Sequence, residues 1–251
     1  MLKRQILKAL TAGAAFSAVV IAGMLFTPKS GRADNDNNGA QDEKQMIQIG
    51  MSTAISAGLT LNMTGKDPDM VGLGSYLVNV IGDCNGCHTA DPSTEYAAGG
   101  NPYLLPGANP PFFNGTKKIN TKTYLGGGSV FGPLPGVDAA HPVPIISRNL
   151  TPDSTGRPEG GNTLSDFIMI IRTGKDTDHA HPSCPSAGPA PCLGFPFNGD
   201  LLQVMPWPNF QNLTDRQLTA IYTYLSAVPC LEGGPGEPAN RCKPAPAATN
   251  H

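Results

Sequence analysis

The chain has 251 residues, room for one large domain or two small ones. Only 14% of residues are charged, Gly and Pro supply 30 and 25 positions, and the net charge is −2. These values exclude a basic nucleic-acid binder and a long coiled coil, and a single long apolar run excludes a polytopic membrane protein.

The N-terminus orders its residues as an export signal does. Lys3, Arg4 and Lys8 precede an apolar run from Ala9 to Phe26, followed by small residues at Gly31 and Ala33. We expect cleavage after Ala33, with an uncleaved single-span anchor as the alternative, and a periplasmic location in either case. Loss of residues 1–33 leaves 12 basic against 19 acidic residues, a net −7. Such a surface favours basic partners and disfavours nucleic acid and anionic membranes. Residues 34–66 are expected to be a flexible N-terminal segment: 34–45 hold no apolar residue but Ala and read as a disordered tether, and 46–66 have no clear pattern.

The first helix is expected after Pro68, where Val71, Leu73, Leu77, Val80 and Ile81 recur at roughly helical spacing before Gly82. Residues 89–148 are crowded with Gly and Pro and read as loops, with room for a short strand pair near 122–131. Thr163 followed by Asp166 starts a second helix over Phe167–Ile171, with Gly174 at its C-terminal cap. Thr214 and Gln217 form a capping box for a third, whose apolar face is Leu218, Ile221, Tyr222 and Leu225. A large ligand at the centre would explain how three helices joined by loops of this length are organised.

Cys84-Asn85-Gly86-Cys87-His88 is a CxxCH sequence, the spacing of covalent c-type haem attachment. Two thiols three positions apart reach the two vinyl groups of one haem, and the following imidazole is directed at the iron. A redox dithiol, a zinc site and a simple Cys84–Cys87 disulfide are the competing readings. The first lacks a βαβ context, and the second lacks another ligand pair. One CxxCH means one haem, with His88 as one axial ligand.

Candidates for the second axial position are Met46, Met51, Met63, Met70, Met169, Met205, His141, His179 and His181. Met205 is the choice. Pro206 and Pro208 keep its segment out of a helix, and it stands nine residues before the Thr214 cap. A thioether opposite His raises the reduction potential.

Gly74-Ser75-Tyr76-Leu77, the CxxCH motif, Asn149-Leu150-Thr151-Pro152-Asp153, Arg172-Thr173-Gly174, Met205-Pro206-Trp207-Pro208 and Ala220–Leu225 occur in one order. Over about residues 67–232 this resembles the bacterial periplasmic mono-haem c-type cytochromes, closest to the modules that accompany dehydrogenases. The resemblance implies a mainly α, cytochrome c-like fold, with about three core helices around one haem, long Gly/Pro-rich loop insertions and a short β-hairpin at most. It places the cytochrome domain at 67–245 and a disordered tail at 246–251. It also implies that the first and last helices cross at Gly74, with Tyr224 approaching closely. The gap from His88 to Met205 is longer than in the smallest members.

Trp207 is expected at the haem edge, where its N–H reaches a propionate. Arg172 is a candidate partner for the other propionate, or a solvated helix-end cation. Asn149 is a candidate hydrogen-bonding residue near the haem, or an Asx-type turn. The remaining cysteines are expected to pair locally, Cys184 with Cys192 and Cys230 with Cys242, among three possible pairings.

The function that follows is electron transfer, without catalysis, between redox partner proteins: a donor dehydrogenase and an acceptor oxidase or cytochrome. The alternatives are a peroxidase-like haem enzyme with an open axial site, an obligate cytochrome subunit of a dehydrogenase complex, and a haem-bearing sensor, for which no signalling domain is visible.

Overall fold

A computed structural model of the chain describes residues 35–89, 92–105, 115, 117–132, 134, 144–178, 192–233 and 240–243. The expected export segment 1–33, the expected tail 246–251, His141, His179, His181 and Cys184 lie outside them. The described part is mainly helical, with two short strands.

The helix expected after Pro68 is present as α2 (Pro68–Tyr76). Asp67 caps it by accepting from the Asp69 N–H, and Pro68 sits where a missing N–H costs nothing. It runs without a break into a π-helical turn, Leu77–Ile81, and then into the single turn α3 (Cys84–Cys87). After the strands come the short turn α4 (Pro158–Gly161) and α5 (Leu164–Thr173). α5 is closed at its start by the Thr163/Asp166 capping box and at its end by Gly174, φ 68°. α6 (Trp207–Phe210) is one turn, and α7 (Asp215–Leu225) begins with the Thr214/Gln217 capping box.

α2 and α7 cross at Gly74. A Cβ at that position would stand 2.7 Å from Tyr224 Cβ and closer still to the Ala220 carbonyl, so only glycine permits the approach. The main core lies between these helices and α5: Val71, Val78, Phe167, Ile171, Leu218, Tyr224 and Leu225 are all buried.

Two expectations are corrected. Residues 35–56, expected to belong to a flexible N-terminal segment, form α1 (Asn35–Ser56). Met46 and Ile47 pack on Leu73, Leu77 and Ala220. Gly50 faces the Gly72 carbonyl and Tyr76, with no room for a side chain, and the buried Ser75 hydroxyl donates to the Gly50 carbonyl at 2.6 Å. The stripe Met46, Gly50, Ala54 at fourfold spacing is small in the middle, so it buries backbone against backbone where a large side chain would hold the helices apart.

The strand pair is the second correction. β1 (Val130–Phe131) falls at the edge of the expected region, but its antiparallel partner is β2 (Ile145–Ile146), far along the chain. Among the described residues no helix is long and apolar enough to cross a membrane. Cys230 and Cys242 form the expected disulfide, with Cα atoms 5.7 Å apart. Cys192 is also disulfide-bonded.

Candidate haem site

The CxxCH residues occupy a strained turn. Asp83 adopts a left-handed conformation, φ 42°, which ends the π-turn and starts α3. The Asn85 side chain is buried and accepts the Leu125 N–H at 2.8 Å, fastening the turn to the loop beyond. Cys84 and Cys87 are free thiols, the first half-buried and the second exposed. Burial, reinforced by Asp83 and Cys87, pushes the Cys84 thiol up to about 12. Burial and the carboxylates of Asp83 and Glu95 push Cys87 up as well. These are protonated, weakly nucleophilic thiols, the opposite of what a redox dithiol requires. No group of three or more metal-ligating His, Cys, Asp or Glu side chains gathers among the described residues, so a zinc site has no geometric support either.

His88 closes α3. Its Nδ1 lies 2.8 Å from the Arg148 carbonyl. A carbonyl only accepts, so Nδ1 carries the proton and Nε2 presents its lone pair. Burial pushes the imidazole below its ordinary value, with the bond to the carbonyl acting against that, so the ring stays neutral. A neutral ring with one nitrogen anchored and the other free is the form that ligates a metal.

Cys84, Cys87 and His88 line one cavity of about 350 Å³, within the ~300–1,000 Å³ range of cofactor sites. Leu77, Val78 and Ile81 bring the π-turn to its wall. Phe167 and Ile171 come from α5, and Leu218, Ile221 and Leu225 from α7. The π-turn is what delivers this wall: one extra residue per turn re-aims the side chains just before the CxxCH motif.

Met205 lines the same cavity, the only one of the described axial candidates to do so. Met51 and Met63 pack on the main core, and Met46 and Met70 on the smaller cluster under α1. Met205 follows Val204, a β-branched residue held at φ 66°. That strain is maintained by tight bonds on both sides. Met205 N–H reaches the Gln203 carbonyl at 2.6 Å, and Leu202 N–H the Gly174 carbonyl at 2.7 Å.

The other expected residues lie off the cavity wall. Trp207 packs its ring against Gly174, where any side chain would collide with it. Arg172 turns away to the Asp215 carboxylate at 2.8 Å and to the Gln211 carbonyl. Asn149 is buried and makes an Asx turn, accepting from Thr151 N–H at 2.9 Å while donating to the Leu231 carbonyl at 3.1 Å.

Sequence reasoning missed the charged part of the wall, Arg148, Glu159 and Asp176. Arg148 pairs with the fully buried Asp176 and sits 3.2 Å from Asp178. Among the described residues its Nη1 is enclosed yet has no aligned hydrogen-bond partner, and neither has Glu159 Oε2. Burial opposes the Arg148 charge, but Asp176, Glu159 and Asp178 outweigh it and hold the guanidinium ionised. The one signal that could have found this group is Pro158-Glu159-Gly160-Gly161, a turn that sets an acid among residues free to take positive φ.

A haem fits what is present: an apolar cavity, two free thiols and a free imidazole nitrogen on its wall, and one enclosed guanidinium nitrogen of Arg148 without an aligned acceptor among the described residues. No family model, no curated protein and no solved structure matches the chain.

Proposed function

We propose that this protein is a periplasmic electron carrier holding one haem c, joined through thioethers at Cys84 and Cys87. The observation that carries the reading is the meeting of both CxxCH thiols, the Nδ1-anchored His88 and Met205 on one apolar cavity. A bound haem would supply a one-electron ferric–ferrous couple. The residues do the rest. The Arg148 carbonyl fixes the His88 tautomer and leaves Nε2 to ligate. The Met205 thioether, a soft donor, favours the reduced metal. Phe167, Ile171, Leu218 and Leu225 exclude water and so raise the cost of the more highly charged state. The Arg148 guanidinium is the natural donor to a propionate, the role first expected of Arg172.

The Cys230–Cys242 disulfide accords with an oxidising compartment. The net −7 left without residues 1–33 suits partners with basic docking faces, whether a separate donor dehydrogenase and acceptor or a complex in which the chain is a subunit.

The test is expression with a c-haem maturation system. Covalent haem is expected after denaturing electrophoresis, and is expected to vanish in Cys84→Ser/Cys87→Ser. A wild-type chain without covalent haem overturns the reading. Met205→Ala should keep the covalent haem, lower the reduction potential and admit cyanide; an unchanged potential removes Met205 as ligand. A peroxidase-like enzyme is the second reading, favoured by Glu159 as an acid–base group beside the fixed charge of Arg148 on the cavity wall. It requires ferric wild type to bind cyanide as readily as Met205→Ala does.

A further inference from the structure

Glu159 is an acid placed at some cost. Its backbone is left-handed, φ 52° and ψ 55°, and Gly160 and Gly161 continue at φ 74° and 96°. Glycine takes these angles freely, but a glutamate does not. Yet the glutamate stands at the first of the three positions, and the turn directs its carboxyl to the wall of the cavity that holds Cys84, Cys87 and His88. Oε2 is fully enclosed and has no hydrogen-bond partner among the described residues.

The charges around it do not balance. The groups facing it are Arg148, from the segment after β2, and Asp176 and Asp178, from the segment after α5. Asn162 hydrogen-bonds it from its own turn. Arg148 is already engaged with both aspartates. One cation therefore serves three carboxyls, and Glu159 is the one that makes no ion-pair contact with it among the described residues. The remaining titratable groups on the cavity wall are Asp83, His88 and the two thiols. Burial pushes the Glu159 carboxyl above its ordinary range, Arg148 pulls against this, and Asp178 and Asp176 add to it. The cluster also touches the proposed redox centre through the backbone, since the carbonyl of Arg148 holds the His88 ring at 2.8 Å.

We propose that Glu159 couples a proton to the electron: its carboxylate takes up one proton when the site is reduced and releases it on oxidation. This rests on the haem reading above. The electron comes from a one-electron donor protein, which is oxidised as the iron is reduced. The proton comes from solvent water, and an O–H bond forms on the Glu159 carboxyl. The added negative charge is thus cancelled inside a wall that already carries an excess of acid, where uncompensated charge is most costly. The functional result is a carrier whose potential follows pH.

The experiment is redox potentiometry of the full mature holoprotein at a series of pH values, wild type against Glu159→Gln. The wild-type potential is expected to fall as pH rises through the Glu159 ionisation. The limiting slope, one proton per electron and so tenfold in the equilibrium per pH unit, is about 59 mV per unit. Glu159→Gln is expected to keep its covalent haem and to be flat over that window. The same slope in both proteins overturns the coupling and leaves the electron-carrier reading intact, whereas a wild type without a haem spectrum overturns both. The reduced-minus-oxidised infrared spectrum of wild type gives a measurement that does not depend on the variant folding. A carboxylic-acid carbonyl band should appear on reduction and shift in heavy water, and its absence counts against Glu159.

Discussion

Gly74 decides how closely two helices can lie. Alanine in a helix interior ordinarily gains about 1 kcal/mol over glycine. Here the new Cβ would meet Tyr224 Cβ at 2.7 Å and the Ala220 carbonyl inside contact distance. Gly74→Ala should therefore destabilise by about 1–3 kcal/mol, as overpacking does, and lower the thermal midpoint measured by circular dichroism. A raised midpoint would mean the crossing is loose. Val204 is the reverse case. Its φ of 66° suits glycine, so Val204→Gly should relieve about 1 kcal/mol of strain, offset in part by the entropy of a freer unfolded chain. The cost is expected to surface as a less firmly held Met205, read as a lower potential in the haem-loaded protein. Tyr124 and Tyr224 share a buried hydrogen bond at 2.7 Å, and burial pushes both phenols above their ordinary value. The folded state thus keeps protons that the unfolded state loses above about pH 10, so stability should fall as pH rises past that point. Denaturant midpoints on either side of it measure the effect.

The helices that announce themselves by their ends were legible in the sequence. Thr163 with Asp166, and Thr214 with Gln217, close reciprocal hydrogen bonds at the starts of α5 and α7. Thr163→Ala and Thr214→Ala should each cost about 1 kcal/mol in chemical denaturation. α1 was not legible, because its contact stripe passes through Gly50 and Ala54, and a search for periodic large apolar residues passes over small ones. The pairing of Val130 with Ile146 was hidden for another reason: the partner strand has only two residues and no local signal for its register. The cavity shows the same division. The thiols and His88 carry a spacing, and Met205 carries flanking prolines. Arg148 and Glu159 reach the wall from a strand exit and a glycine turn, where no periodicity points inward. Arg172 had a helix-end position to recommend it, but Asp215 at the start of α7 captures it.

At the scale of the whole molecule, the ties between the described loops and the helices should each matter. Cys230–Cys242 spans 12 residues, and Cys230→Ser/Cys242→Ser should cost about 3 kcal/mol if chain entropy governs the effect. A related tie has no covalent bond at all. The Gly50 carbonyl accepts from Ser75, and Asn79 bonds Ser75, Tyr224 and Tyr124 in turn, so one buried chain of polar groups joins α1, the π-turn, α7 and the loop at Tyr124. A helix added at the edge of a domain usually opens by itself, at little free energy. α1 should behave as two halves. Amide protons around Asn38–Asp42, exposed to solvent, should exchange with deuterium almost at once. Those around Gly50–Ala54 should exchange only when the core does, so a helix that begins in the expected tether ends inside the slowest-opening unit.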